Sequence, residues 1–460
     1  MRVHSRKSRK APRVVVLLLL CAGGLGLWWA LTVGPEPTIT LETDRPAVGT
    51  ATRVVADFSE PRRGLGVVRL EVVQGERTEV LDEQRFERGS GLPIVGDAGV
   101  AEATLTATVG TDTLPWLEEG EVVVRAVADR AAGPLRRVQP VAVEHTLPVR
   151  LRPPRLEVVS SQHYARQGGS GAVVYRVGET VVRSGVRAGG AESPGSRPDV
   201  GAAADRFVLY AVPWDLADQA EIRLFAEDDA GNRAEQPFID LFKPMAPRAG
   251  TIRLSDDFLE RVVPAIASQT PGFDDSGGFL EQYLRINGDL RRAELDRVAD
   301  LTSGSESSFL WSGPFAQMPN SALQANFAET RTYLYEGRKV DRQTHLGLDL
   351  ASTARAPVPA PNSGRVLYTG WMSLYGNVVV IDHGYGLLSL CGHLSSVDTA
   401  EGARVAKGEI VGSSGATGLA GGDHLHLEIF LHGQSVDPVE WIDAKWIRDN
   451  LGTKLGVPID

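Results

Sequence analysis

Asp423-His-Leu-His-Leu-Glu-Ile-Phe430 decides how the C-terminal part of this chain is read. Its alternation predicts a β-strand, because residues two apart share one face of a pleated strand. His424 and His426 then present two imidazoles to the same side, with Leu425 and Leu427 packing behind. His345-Leu-Gly-Leu-Asp349 repeats the device. As a strand it puts His345 and Asp349 on one face, and Gly347 between them leaves room for a metal. A helix would also bring 345 and 349 together, one turn apart, but the glycine and the strict alternation favour the strand. A further histidine, His393 in Cys391-Gly-His-Leu-Ser-Ser396, follows the strand pattern Asn377-Val-Val-Val-Ile-Asp382.

The chain has nine histidines, and six of them fall between 345 and 432. Four of the six, with Asp349, form one candidate constellation. Imidazole and carboxylate suit zinc, whose catalytic sites use three protein ligands and a water. The metal lowers the pKa of that water to about 7. A peptide hydrolase also needs an acid or base beside the water and a group that steadies the oxyanion, and uncoordinated histidines serve in both roles. The five residues therefore divide into three ligands and two assistants. Each motif is weak alone; their order within one β-rich segment gives the set its weight. His383 in an Asp-His-Gly turn and His432 in a hairpin-like Leu-His-Gly-Gln read as structural.

Residues of about 310–443 resemble the peptidase M23 family, the LytM or lysostaphin-like zinc endopeptidases. The likeness runs in order through HLGLDLASTARAPVPAPNSGRVLYTG, LYGNVVVIDHGYGLLSLCGHLSSV and VAKGEIVGSSGATGLAGGDHLHLEIFLHGQSVDPVEWI. Phe327-Ala-Glu-Thr-Arg331 also looks like the family's strand before the first ligand. The resemblance implies His345, Asp349 and His426 as zinc ligands and His393 and His424 as the catalytic pair. It implies a β-rich peptidase domain that cuts peptide bonds in peptidoglycan stems or bridges. Degenerate members act as regulators or scaffolds that activate other cell-wall hydrolases, but they typically lack ligands that this chain keeps. Gly412–Gly422 matches a loop beside the family's cleft, where small residues let an extended peptide approach. Two departures stand out. Cys391 replaces the usual aromatic residue two before the catalytic histidine, which would alter the cleft wall. Ala356-Pro357-Val358 replaces the common Gly-Thr-Pro-Val wording.

The rest of the chain sets the expected architecture. Its 460 residues are too many for one ordinary domain. With 50 glycines and 27 prolines, it favours turns and short strands. Two cysteines exclude a disulfide scaffold, and Cys391 reads as free and buried. The net charge of −10 argues against nucleic acid as a partner. The expected fold is mainly β. Two immunoglobulin-like β-sandwich modules cover 35–148 and 149–243, with proline punctuation at Pro148 and Pro153-Pro154. A helical linker follows over 244–308, capped at Ser255, and could equally be an arm against the peptidase or a docking element for an envelope protein. The peptidase domain occupies 309–445, and 446–460 is a tail.

At the N-terminus, Arg2, Arg6, Lys7, Arg9, Lys10 and Arg13 precede the uncharged run Val14–Val33. Twenty apolar residues are about what a helix needs to cross a bilayer. Segment 1–34 is therefore expected to be a cytoplasmic basic tail and a single transmembrane anchor in the cell membrane, with the peptidase outside. A cleaved signal peptide is the next reading and a lipoprotein the last.

Overall fold

The computed structural model describes residues 10–31, 33–62, 64–86, 100–130, 137–198, 202–203 and 205–455. The basic residues Arg2, Arg6, Lys7 and Arg9 and the last five positions lie outside them. The fold is mainly β, and the chain divides into two compact units: Met1–Pro153 with Glu227–Arg233, and Pro154–Ala226 with Ala234–Asp460.

The first unit begins with a helix over Lys10–Leu31. Among the described residues no helix is long and apolar enough to cross a membrane. The anchor expected over 14–33 is therefore not found as a membrane span. Two antiparallel sheets follow. One orders Thr38–Thr43, Thr52–Ser59 and Glu102–Val109; the other orders Arg77–Arg85, Val67–Gln74, Gly120–Ala128 and Val141–Val149. Thr52–Ser59 alternates buried and open positions along its length. Val54, Ala56 and Phe58 from the first sheet and Val68, Leu70 and Val124 from the second share one core.

In the second unit, residues 154–226 and 234–243 contribute to three short sheets, with Tyr175, Val186, Tyr210 and Leu224 in a shared core. This part is not an isolated bead. Strand Asp205–Ala211 is buried on both faces. Val208 and Tyr210 face the module's own core, whereas Phe207, Leu209 and Ala211 belong to the core of the C-terminal region with Trp311, Phe315 and Trp441. Phe207-Val-Leu-Tyr-Ala-Val212 carries no charged residue, as suits a strand covered on both faces. Ser170 N–H also donates to Glu440 Oε2 at 2.7 Å.

The C-terminal region centres on an antiparallel sheet. Its order is Ala322–Ala325, Leu348–Ala351, Leu425–Leu431, Leu387–Leu394, Gly376–Asp382, Gly364–Met372 and Arg404–Val405, and Gln434–Val436 pairs off Leu425–Leu431. A smaller sheet joins Arg248–Leu254, parallel, to Glu329–Tyr335, which pairs antiparallel with Arg338–His345. Ser255 caps helix Asp256–Ala267 by accepting from Phe258 N–H. The second helical stretch is interrupted where Asn287-Gly288 falls, by a π-turn over Ile286–Leu290 between Phe279–Arg285 and Arg291–Leu301. These helices pack as an arm against the C-terminal region. Val298 sits with Met372, Leu374 and Tyr375, and Tyr283 sits with Tyr333. Within 447–455, Ile447 and Leu451 are buried in the main core.

Candidate metal centre

His345 is the last residue of Arg338–His345, and Asp349 lies in Leu348–Ala351, a strand of the other sheet. The single strand expected over 345–349 is thus broken, and the chain bends at Leu346-Gly347 to pass between sheets. A Cβ on Gly347 would lie 2.5 Å from His426 Cε1 and 2.6 Å from Nε2. The glycine therefore makes room for the His426 ring, not directly for a metal. The second motif follows its pattern. His426 lies in Leu425–Leu431 opposite Asp349, and His424 bridges Gly415 just before the strand. Leu425 and Leu427 are buried behind them.

Three donor atoms converge. His345 Nε2 lies 2.9 Å from Asp349 Oδ1, His426 Nδ1 lies 3.0 Å from the same oxygen, and the two nitrogens are 3.2 Å apart. Zinc with ligands at about 2.0–2.1 Å spaces tetrahedral donors by about 3.3–3.4 Å. The triangle is therefore close to one face of such a tetrahedron, and two imidazoles with a carboxylate suit that metal. Each donor is held from behind. His345 Nδ1 donates to Asn326 O at 2.9 Å, and Arg331 Nη2 donates to Asp349 Oδ2 at 2.9 Å. His426 Nε2 donates to Glu428 Oε2 at 3.1 Å.

The electrostatics favour a cation at this point. Burial alone would raise the Asp349 carboxyl, but hydrogen bonds from His345, His424 and His426 outweigh it and hold the group well below the usual range. Burial would lower His426, yet its bonds to Asp349 and Glu428 push it up to about 9. Burial lowers His345.

The other two histidines stand beside the triangle. His393 adopts φ 62°, in the left-handed region, near the end of Leu387–Leu394. Uncommon for a non-glycine residue, such a conformation is often found at functional sites. Its ring centroid lies 4.8 Å from that of His424 and 5.7 Å from that of His426. Burial and then the two neighbouring imidazoles hold it well below its ordinary pKa, so it is neutral at pH 7. Its Nδ1 donates to Thr417 O at 2.8 Å, and His424 Nδ1 donates to Gly422 O at 2.8 Å. His393 is thereby left with Nε2 for the cleft, whereas His424 turns Nε2 toward Asp349 Oδ1, 3.5 Å away. The structure brings all five expected residues into one cavity of 410 Å³. The helical arm supplies the facing wall through Phe258, Tyr283, Asn287 and Arg291.

Two details differ from the sequence reading. Cys391 is fully buried in the core beside Val379 and Leu427, so it shapes no cleft wall. In the glycine-rich loop, Gly418 (φ 70°) is packed by the protein itself, since a Cβ there would meet Leu374 O at 2.3 Å. Gly421 instead has open space and lines the cavity. Sequence reasoning missed Arg331 and Glu428. Glu428 was findable, since period two places it on the His424 and His426 face; Arg331 was visible only as part of a strand.

The model of Peptidase family M23 matches residues 343–438. The DD-carboxypeptidase/endopeptidase Mpg of Neisseria meningitidis is 42% identical over 95 residues, which is 21% of this chain and 22% of the relative. The murein hydrolase activator EnvC of Escherichia coli is 34% identical over 96 residues, 21% of this chain and 23% of the relative. The match thus spans about a fifth of the length of these curated relatives. A crystal structure assigned to peptidase M23 from Pseudomonas aeruginosa aligns over 59% of this chain and 92% of its own, at 21% identity and a TM-score of 0.37. The motifs, the site and the family match agree: this chain carries a peptidase family M23 domain at its C-terminus.

Proposed function

We propose that the chain is a zinc-dependent endopeptidase acting on the peptides of bacterial peptidoglycan. The observation that carries this reading is the triangle of His345 Nε2, Asp349 Oδ1 and His426 Nδ1, set in a cavity that His393 and His424 also line. His345, Asp349 and His426 would hold the metal, which when bound supplies Lewis acidity and a water of lowered pKa. His393 and His424 move or hold protons at Nε2, because their Nδ1 atoms are committed to Thr417 O and Gly422 O. One accepts the proton of the attacking water and the other steadies the oxyanion. Arg331 fixes Asp349 so that Oδ1, not Oδ2, faces the two imidazoles. The likeness to a DD-carboxypeptidase/endopeptidase, together with that to a murein hydrolase activator, supports peptidoglycan as the substrate.

The likeness to a murein hydrolase activator supports a second reading, a non-catalytic regulator. An extracytoplasmic position at the cell membrane completes the first reading. It is supported by the basic N-terminus, the uncharged run and the exposure of Leu17–Leu20 on the N-terminal helix. The deciding experiment purifies the full chain in detergent, measures bound zinc and incubates the protein with peptidoglycan, reading released fragments by mass spectrometry. About one zinc per chain with new peptide ends is expected. Folded protein that neither binds zinc nor cuts would sink the enzyme and leave the regulator.

A further inference from the structure

All four histidines of the site have one ring nitrogen tied to a second acceptor. For His345, His393 and His424 that acceptor is a main-chain carbonyl, of Asn326, Thr417 and Gly422. His426 differs, because its Nε2 meets the carboxylate of Glu428. Glu428 is fully buried, two residues further along the same strand. Burying a carboxylate is unfavourable unless its oxygens find donors. Here both do. Ser435 Oγ donates to Oε1 at 2.5 Å, and Tyr375 O–H donates to Oε2 at 2.9 Å. Ser435 comes from the neighbouring strand Gln434–Val436 and Tyr375 from the turn Ser373–Tyr375. Tyr375 also lies against the His426 ring, with centroids 5.4 Å apart. Both hydroxyls act as donors to the carboxylate, so the contact that remains for the imidazole is its N–H.

We propose that Glu428 is a positioning residue for the metal. It fixes His426 as the Nε2–H tautomer with the Nδ1 lone pair turned toward His345 and Asp349, and Tyr375 and Ser435 hold Glu428 in place. The inference rests on the metal-site reading above and extends it from three ligands to the group behind them. A carboxylate accepting from a ligand imidazole also makes that ligand more basic, which strengthens its bond to a metal. A purely structural role would explain why Glu428 is buried and hydrogen-bonded. It would not require that one of its three donors be a ring whose opposite nitrogen faces two further metal-type donors.

The test compares Glu428→Ala, Glu428→Gln and Tyr375→Phe in the full chain. Zinc affinity is read by competition with a chromophoric chelator, and the cobalt-substituted protein is read by its visible spectrum. The melting temperature of the metal-free protein serves as the control. Glu428→Ala is expected to weaken zinc by about 10–100-fold and to shift the cobalt bands. Glutamine keeps an acceptor for Nε2–H and recovers part of the affinity, and Tyr375→Phe gives a smaller loss than Glu428→Ala. Folded variants with wild-type affinity and an unchanged cobalt spectrum overturn the proposal. So does a loss in which glutamine is no better than alanine and which follows an equal loss of metal-free stability. A wild-type chain that binds no zinc overturns the metallopeptidase itself, an outcome distinct from either.

Discussion

The two ends of the same β-sheet carry histidines with opposite fates. At one end His426 and His393 share a cavity with Asp349 and His424. At the other, His383 follows Gly376–Asp382 and His432 follows Leu425–Leu431. His383 is fully buried and spends both nitrogens on protein partners, Nδ1 on Ser363 O at 2.9 Å and Nε2 on Ser389 Oγ at 2.8 Å. His432 Nε2 donates to Leu209 O at 3.0 Å. Burial pushes His383 and His432 each down to about 4, so both rings are neutral in the folded protein. Burial and histidine density are therefore common to both ends. What separates them is convergence on a carboxylate: His345, His424 and His426 all reach Asp349 Oδ1, whereas His383 and His432 meet only hydroxyl and carbonyl oxygens.

The strongest way to break this comparison is to remove a donor of the triangle. His345→Ala and Asp349→Ala should each release zinc from the purified chain and reduce peptidoglycan cleavage to background, as metal analysis and fragment release would show. Either variant retaining metal and activity would mean that the convergence does not define the site. His393→Ala is expected to act differently, keeping its zinc while cleavage falls by about 10²–10⁴-fold, the usual share of a proton-transfer group. Loss of zinc in that variant would move His393 into the ligand set and reverse the assigned roles.

The site was more legible in the sequence than the architecture around it. Period two placed His424 and His426 correctly because that strand is regular, with buried leucines behind it. The same rule failed at 345–349, since a bend between two sheets also brings residues four apart together. Only the packing of Gly347 under the His426 ring distinguishes the two cases. Arg331 stayed hidden because its partner is 18 positions away, a distance that no local pattern spans. The helical stretch was readable as helix from Ser255 and the apolar spacing, but not as a cleft wall. Its inward face is defined by Tyr333, Leu374 and Tyr375, which come later in the chain. The close union of 154–243 with the C-terminal region had a sequence sign, the unbroken apolar run Phe207–Val212. A module facing solvent on one side would alternate there.

A pH titration sharpens the contrast by addressing His383 alone. Its folded pKa of about 4 lies below the ordinary 6.5. Between those values the unfolded chain binds a proton that the folded chain refuses. Stability from this group is therefore full above pH 6.5 and is lost as pH falls toward 4, by about 3 kcal/mol in all. His383→Asn, which can still donate to Ser363 O, should flatten the pH dependence of thermal unfolding over that range by about this amount. Zinc content should not change. An unaltered slope would mean that His383 is not held neutral by burial, and the two ends would then differ less than their hydrogen bonds imply.

The smallest effect is expected at His432, and it tests whether the two ends are independent. His432→Ala removes one hydrogen bond, the one to Leu209 O, and should lower stability by about 1 kcal/mol. The ring also fills the space beside Gly386, where a Cβ would meet Nδ1 at 2.3 Å, so part of that loss is packing. Leu209 lies in the strand shared between the 154–243 module and the C-terminal core, so the change should appear as earlier melting of that union. His426 lies on the same strand as the residues leading to His432, but its geometry is set by Asp349 and Glu428. Zinc affinity and cleavage should therefore stay at wild-type values. If they fall with stability, strand Leu425–Leu431 transmits strain along its length, and the packing of the 154–243 module becomes part of what holds the metal centre.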